Sequence, residues 1–571
     1  MKNAILRLAV LAAMAGIGPV AHAALPNGIA AGDVTQTSAV LWGRTDSAGR
    51  LSFQCAADRR FQRVVARRSF TVTDPLVPAK WTLTELSPAT TYYYRVTDGT
   101  GASATGSFRT PTALGHRRGL RFGVSGDWRG ELLPYPAVQN ADDRSLDFFV
   151  ALGDTIYGDV PSAANGGQQQ AQTLAEFRGK HAEVYGELGG LNALGDLRAS
   201  TAVFATIDDH EVTNDFAGAA DVSTDPRFAA DPAGTPISDS TLYDNALRAF
   251  QDYNPIRPRY YPAGGEARSA GEIKLYRSQN FGSDAALFVL DARSFRDDEL
   301  PGADPGNPLS VGQFLAAAFD PTRTLLGRRQ VEELKADLLK AHHRKITWKF
   351  IMVPEPIQNL GIFGAADRFE GYAAERTEIL KFIADSRIDN VVFVTADIHG
   401  TLVNNLTYQL APFTAQISTN TFEISTGAVA YDAPFGPTVA QLGAAAGLIS
   451  PAELAFYGSL PVANDADSVP NDKDDFLKAV VNGALAPLGY DPVGIENTSA
   501  AQLLVGDYMA THSYGWTEFE IAKESQELVV TTYGIPAYTA ADIAADLAGI
   551  AARTPQIVSQ FKVTPQRTSS D

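Results

Sequence analysis

Cysteine is almost absent from this chain of 571 residues, with Cys55 as its single representative. No internal disulfide can form, and no thiolate cluster can hold a metal. At this length, with 45% hydrophobic residues, the chain can bury a large core without such staples. Two or three domains are expected. Basic excess is lacking too: lysine plus arginine total 47 against 65 aspartate plus glutamate, a net charge of −18. Such a chain repels a phosphate backbone at long range, so no nucleic-acid-binding surface is expected. An anionic substrate must then be drawn in by a local positive centre, and a bound metal is one. Beyond the first residues no apolar stretch is long enough to span a bilayer. The acidic segment 464–475 reads either as a calcium loop or as a solvated acidic loop, and the lack of the central glycine and terminal glutamate of an EF-hand favours the second.

What is present begins with a compartment signal. Lys2 and Arg7 give a short basic start, an apolar run follows from Leu8 to Val20, and Ala21-His22-Ala23 supplies the small-x-small cleavage pattern. A signal peptide over residues 1–23 is expected, with the mature protein periplasmic or secreted. No twin-arginine pair precedes the run, which points to export as an unfolded chain and metal loading afterwards.

Residues 25–112 read as a small β-sandwich domain. Ala39-Val40-Leu41-Trp42, Leu51-Ser52-Phe53 and Tyr92-Tyr93-Tyr94-Arg95-Val96 carry β-branched or aromatic residues between regularly spaced turn residues. Leu86 to Val96 looks like the corner of a fibronectin type III-like domain, where a tyrosine hydroxyl bonds back to the backbone. Cys55 is expected to pack as an apolar residue. Pro111 to Arg118 reads as a linker, residues 119–550 as a catalytic domain and 551–571 as a C-terminal tail. In the catalytic domain, continuous apolar runs end in polar residues: Leu120–Val124 before Asp127, Phe148–Leu152 before Asp154, and Thr201–Ile207 before Asp208-Asp209-His210. Ile346–Val353 before Glu355 and Val391–Thr395 before Asp397 repeat the pattern. Such runs suit strands buried on both faces, with helices such as Gly327–His342 and Ala374–Ser386 between them. The fold class is therefore α/β, and ligands bind at the C-terminal strand ends of such folds.

Those strand ends carry hard ligands. A carboxylate such as Asp154 can bridge two cations, and a phenolate such as Tyr157 selects a trivalent ion. Asp397 and His399 share one side of an extended end, and Asp209 adds a further ligand beside the proton-bearing imidazole of His210. The set suits an oxygen-rich two-metal centre. Taken singly, each has a bland reading as a turn, a cap or a packed residue.

In their order along the chain these motifs resemble the alkaline phosphatase D (PhoD-like) family of the calcineurin-like metallophosphoesterase superfamily. The resemblance rests on Leu152-Gly153-Asp154-Thr155-Ile156-Tyr157, Asp208-Asp209-His210-Glu211-Val212, Leu290-Asp291-Ala292-Arg293-Ser294-Phe295-Arg296-Asp297, Ala396-Asp397-Ile398-His399 and His512-Ser513-Tyr514-Gly515-Trp516. It spans nearly the whole mature chain. It implies a four-layer α/β sandwich preceded by the fibronectin III-like domain. It also implies Fe(III) with Ca2+, other divalent ions such as zinc, manganese or magnesium being known in the superfamily. Asp154 would bridge the metals, Tyr157 would bind iron, Asp209, Asp397, His399 and Asn214 would be ligands, and His210 would stand near the phosphoryl group. Many relatives place a cysteine ligand near the first strand end. Here Ser125-Gly126-Asp127-Trp128 stands instead, similar to the Gly-Asp-Trp motif of purple acid phosphatases, and Asp127 is taken as a ligand on that pattern. Glu355 occupies the place of a purple acid phosphatase ligand histidine and is read either as a ligand or as a loop carboxylate.

The implied activity is hydrolysis of small-molecule phosphate esters by a metal-activated water, with His210, Asp209 and Arg293 as catalytic candidates. Asp208 or Glu211 would partner His210. Arg293 or Arg296 would hold the phosphate, or else pair with neighbouring acids. A phosphodiesterase or phospholipase D-like hydrolase on the same centre, and a non-catalytic surface-binding protein, are the alternatives.

Overall fold

The computed structural model describes residues 25–463, 465–495 and 501–566. The expected signal peptide, residues 1–23, lies outside them. Two twisted sheets lie face to face. The first runs, by edge pairing, through Ala501–Gly506, Gln556–Val563, Leu528–Pro536, Ser513–Ile521, Leu120–Trp128, Phe148–Leu152 and Ala202–Thr206. The second runs through Arg277–Phe281, Ala285–Val289, Trp348–Met352, Val391–Thr395, Ile417–Ser425 and Thr401–Tyr408.

Phenylalanine fills the space between the sheets. Phe122 stacks on Phe148 at 4.6 Å and on Phe519 at 4.8 Å within its sheet, and meets Phe350 of the other sheet edge-on at 4.9 Å. Fully burying one such side chain stabilises by about 1.5–3 kcal/mol. The outer faces are equally apolar because both are covered. Phe149 and Trp516 pack with the helices Leu174–Val184, Ala193–Ser200 and Thr241–Tyr253. Phe288, Ile351 and Phe393 pack with Arg328–His343 and Ala373–Asp385. The order is helix, sheet, sheet, helix, which is the four-layer α/β sandwich the motifs imply.

The N-terminal strands form a β-sandwich with the fibronectin III arrangement. Ile29–Thr35, Ser38–Gly43 and Ala79–Leu83 face Val64–Val72, Gly49–Ala56, Thr91–Thr97 and Ser103–Arg109. The tyrosine corner forms as expected, the Ser87 N–H donating to Tyr92 Oη at 2.8 Å. Cys55 is fully buried. The sandwich is not a bead on a linker, however. Ile29–Thr35 pairs in parallel with Ala202–Thr206, Ala31 opposite Ala202, so its three-stranded half continues the first catalytic sheet. The expected tail is also structured: Gln556–Val563 is a strand between Leu528–Pro536 and Ala501–Gly506. Its alternation buries Phe561 and Val563 against the core, a period of two that a short terminal segment conceals.

Candidate metal centre

Parallel pairing brings the ends of five strands to one edge. Phe122 and Ala202 both register with Phe148 in the first sheet, and Lys349 registers with Val391 in the second. Three of the segments that leave this edge turn sharply. Asp127, Asp154, Asp397 and His399 have φ of 63°, 51°, 66° and 59°, left-handed values that disfavour most side chains. Such backbone costs about 1–3 kcal/mol per residue and persists where the surroundings over-determine it. Gly153, at φ 83°, precedes Asp154 because a Cβ there would stand 2.7 Å from Asp208 Cβ.

Within this edge the candidate ligands meet in two groups. One ligand atom each from Asp127, Asp154 and His399 lie within 4.8 Å of one another, and so do atoms of Asp154, Asp209 and His210. Asp154 belongs to both. Asp127 is 1% exposed, and neither of its carboxylate oxygens has a hydrogen-bond donor; its Oδ1 stands 3.3 Å from His399 Nε2. A buried carboxylate left this way is strongly unfavourable unless a cation meets it, so the donor set fits a metal. Asp154 Oδ2 accepts from Tyr157 Oη at 3.2 Å and its Oδ1 from the His210 N–H at 3.3 Å.

The electrostatics agree. Burial, then the charges of Asp209, Asp208, Glu211 and Asp127, push the Asp154 carboxyl well above its ordinary range. Burial and then Asp208 and Asp209 do the same to Asp397. Burial and Asp154 hold the Tyr157 phenol far up, so a phenolate there requires an adjoining cation. Burial would lower His210, but the Asp209 charge and a hydrogen bond to Asp159 outweigh it and hold the imidazole at about 9.

The remaining candidates lie outside these two groups. Asp397 belongs to neither three-residue group, and Asn214 is exposed, its N–H donating to Asp159 Oδ2 at 2.9 Å. Of the two readings of Arg293, phosphate contact or pairing with acids, its surroundings favour the second. It is fully buried, with Nε 2.7 Å from Asp208 Oδ1 and Nη1 2.6 Å from Asp367 Oδ1, and it also pairs with Glu355. Arg296 joins Glu355 at 2.6 Å and pairs with Asp367. A guanidinium so enclosed positions acids and meets no substrate. Glu355 is thereby a partner of two arginines.

Four residues escaped sequence reasoning. Asp159 is the partner of His210, its Oδ1 2.7 Å from Nδ1, where Asp208 or Glu211 was expected. Glu211 instead clamps two loops, accepting from the N–H groups of Asp154, Thr155 and Asp208. Asp367 joins the buried arginines. Tyr431 stacks on His399 with ring centroids 3.6 Å apart, and Arg129 lies over Tyr431 and Tyr157 at 5.6 and 5.8 Å. Gly158-Asp159 carries the same Gly-Asp turn signature as the recognised ligands. Tyr431 and Asp367 sit in loops without any such signature.

Comparisons with known proteins place the chain in a family. A family model described as PhoD-like phosphatase matches residues 125–452, and one described as PhoD-like phosphatase, N-terminal domain, matches residues 12–112. Alkaline phosphatase D of Bacillus subtilis strain 168 is 26% identical over 412 residues, which is 66% of this chain and 65% of that relative. The match thus spans just under two thirds of the relative's length. A solved structure described as PhoD superposes with a TM-score of 0.67 at 19% identity, covering 96% of this chain and 93% of that one. A purple acid phosphatase from yellow lupin seeds gives a TM-score of 0.47 at 11% identity, over 95% of this chain and 77% of the other. The first family model covers more than half of the sequence, and the chain belongs to the PhoD-like phosphatase family.

Proposed function

We propose that the protein is an exported phosphatase that hydrolyses phosphate esters, of the alkaline phosphatase D type, at the Asp127, Asp154, Tyr157, Asp209, His210, Asp397 and His399 edge. The observation that carries this reading is the Asp127 carboxylate, buried without any donor beside the shared Asp154. Asp127, Asp154 and His399 would hold one metal, with Tyr157 favouring Fe(III), and Asp154 and Asp209 a second, Ca2+. Asp397 and Asn214 would serve as further ligands. Bound there, the metals supply a water acidic enough to lose a proton near neutral pH and positive charge for the phosphoryl oxygens.

The protein's own groups do the rest. Asp159 accepts from His210 Nδ1 and fixes the ring, leaving Nε2 to hold the proton that the leaving oxygen takes. Glu211 keeps the Asp154 and Asp208 loops in register. Arg293 positions Asp208 and Asp209, from which its Nη2 is 3.6 Å. Arg129, paired with Glu131 and with the exposed Asp432, is the guanidinium at this rim that a phosphate would share with those acids. Export is supported by the basic and apolar start of the sequence. Among the described residues no helix is long and apolar enough to cross a membrane.

Purified protein should cleave p-nitrophenyl phosphate, lose that activity to a chelator and regain it with Fe(III) and Ca2+. A visible charge-transfer band should vanish in Tyr157→Phe. A colourless protein of full activity would remove the iron assignment; undiminished activity after exhaustive chelation would remove the metal mechanism.

A further inference from the structure

A second carboxylate group lies far along the sequence from the metal centre, at the start of the helix Lys473–Leu485. One oxygen each from Asp465, Asp472 and Asp475 lie within 4.8 Å of one another. Acidic groups of this kind are usual on surfaces and carry no meaning alone. Asp475 makes this one different. Its residue is 3% exposed, and both of its carboxylate oxygens are buried without a hydrogen-bond partner. Asp472 is buried as well and caps the helix, its Oδ1 accepting the Asp475 N–H at 2.9 Å. Lys478, one turn further along this helix, has its Nζ 3.7 Å from Asp507 Oδ2 and 3.2 Å from Ser468 Oγ. Burial and the charges of Asp472 and Asp507 push the Asp475 carboxyl up to about 7, Lys478 opposing them. A proton is thus the competing occupant of a place built for positive charge.

From this geometry we propose that Asp465, Asp472 and Asp475 form a structural calcium site separate from the metal centre. The donors are all hard oxygens with neither imidazole nor thiolate, which suits Ca2+ over a transition metal. The site fixes the helix start, and the helix start is tied to the catalytic edge. Asp474, between the two buried ligands, accepts the Thr511 N–H at 3.1 Å and pairs with His512 Nδ1 at 2.9 Å. The Thr511 carbonyl accepts from Gly436, and the neighbouring Phe435 N–H donates to the His399 carbonyl at 3.0 Å.

The test counts calcium. Full chains carrying Asp154→Asn, which disables the proposed metal centre, and Asp154→Asn with Asp475→Asn are stripped with a chelator and titrated with Ca2+ by calorimetry. The double variant should bind one Ca2+ fewer per chain and lose the Ca2+-dependent rise in Tm. In the absence of Ca2+ it should melt no lower than the single variant, because the buried unpaired charge is gone. Equal calcium counts in the two proteins overturn the site. If Asp475→Asn does not fold, the exposed Asp465→Asn takes its place and should weaken that binding at least about tenfold; unchanged affinity overturns the site equally.

Discussion

Two groups of buried acids stand side by side at the catalytic edge and are neutralised in opposite ways. Around Asp208, Glu355 and Asp367 the chain supplies its own cations, Arg293 and Arg296, in a network buried but for the partly exposed Asp367. Burial still keeps Asp208 and Glu355 above their ordinary range, but in spite of burial the two arginines hold the Asp367 carboxyl below its own. Around Asp127 and Asp154 no arginine or lysine pairs with either carboxylate among the described residues, and Asp154 is pushed the other way. The protein therefore completes one group internally and leaves the other to be completed from outside. Buried charge alone does not mark a metal site; buried charge without a partner does.

The strongest way to break this comparison is Asp154→Asn. The account predicts loss of activity by about a thousandfold, the scale of removing a principal electrostatic element, with a Tm in metal-free buffer no lower than wild type. Steady-state kinetics and melting of the same preparation check both halves. Arg293→Met should act in reverse. Asp208 loses its arginine, and Glu355 and Asp367 keep only Arg296, so stability falls by about 3–5 kcal/mol whether or not metal is present; urea melts would expose a wrong assignment by showing a metal-dependent loss. Asp159→Asn gives the smallest effect and sharpens the proton route. His210 is raised to about 9, so its proton is present below that pH and lost as pH rises through it. Removing the Asp159 partner lowers this value, and the alkaline limb of kcat should move to lower pH. A limb that stays in place assigns that proton to another group.

Much of this is legible in the sequence alone. Asp127, Asp154 and Asp209-His210 each follow an apolar strand, and that spacing alone places them at one edge. The layers were legible for the same reason, since strands buried on both faces leave unbroken apolar runs such as Phe148–Leu152. What was hidden depends on contacts between distant segments. Arg293 in a motif beside a catalytic edge reads as a phosphate ligand until Asp208, Glu355 and Asp367 are seen to enclose it from 85, 62 and 74 residues away, separations fixed by their numbers in the sequence. The continuity of the N-terminal sandwich with the catalytic sheet was equally concealed, because Ala31 opposite Ala202 leaves no local signature. Asp475 looked like part of a solvated loop, and only its burial distinguishes it.

The central claim is that metal belongs to the unpartnered group and not to the arginine-neutralised one. Anomalous diffraction from crystals of the metal-loaded protein tests it most directly. The account predicts peaks between Asp127, Asp154 and His399 and between Asp154 and Asp209, with Arg293 and Arg296 still paired to Glu355 and Asp367. A peak among Glu355, Asp367 and their neighbours, with none beside Asp127, would contradict it.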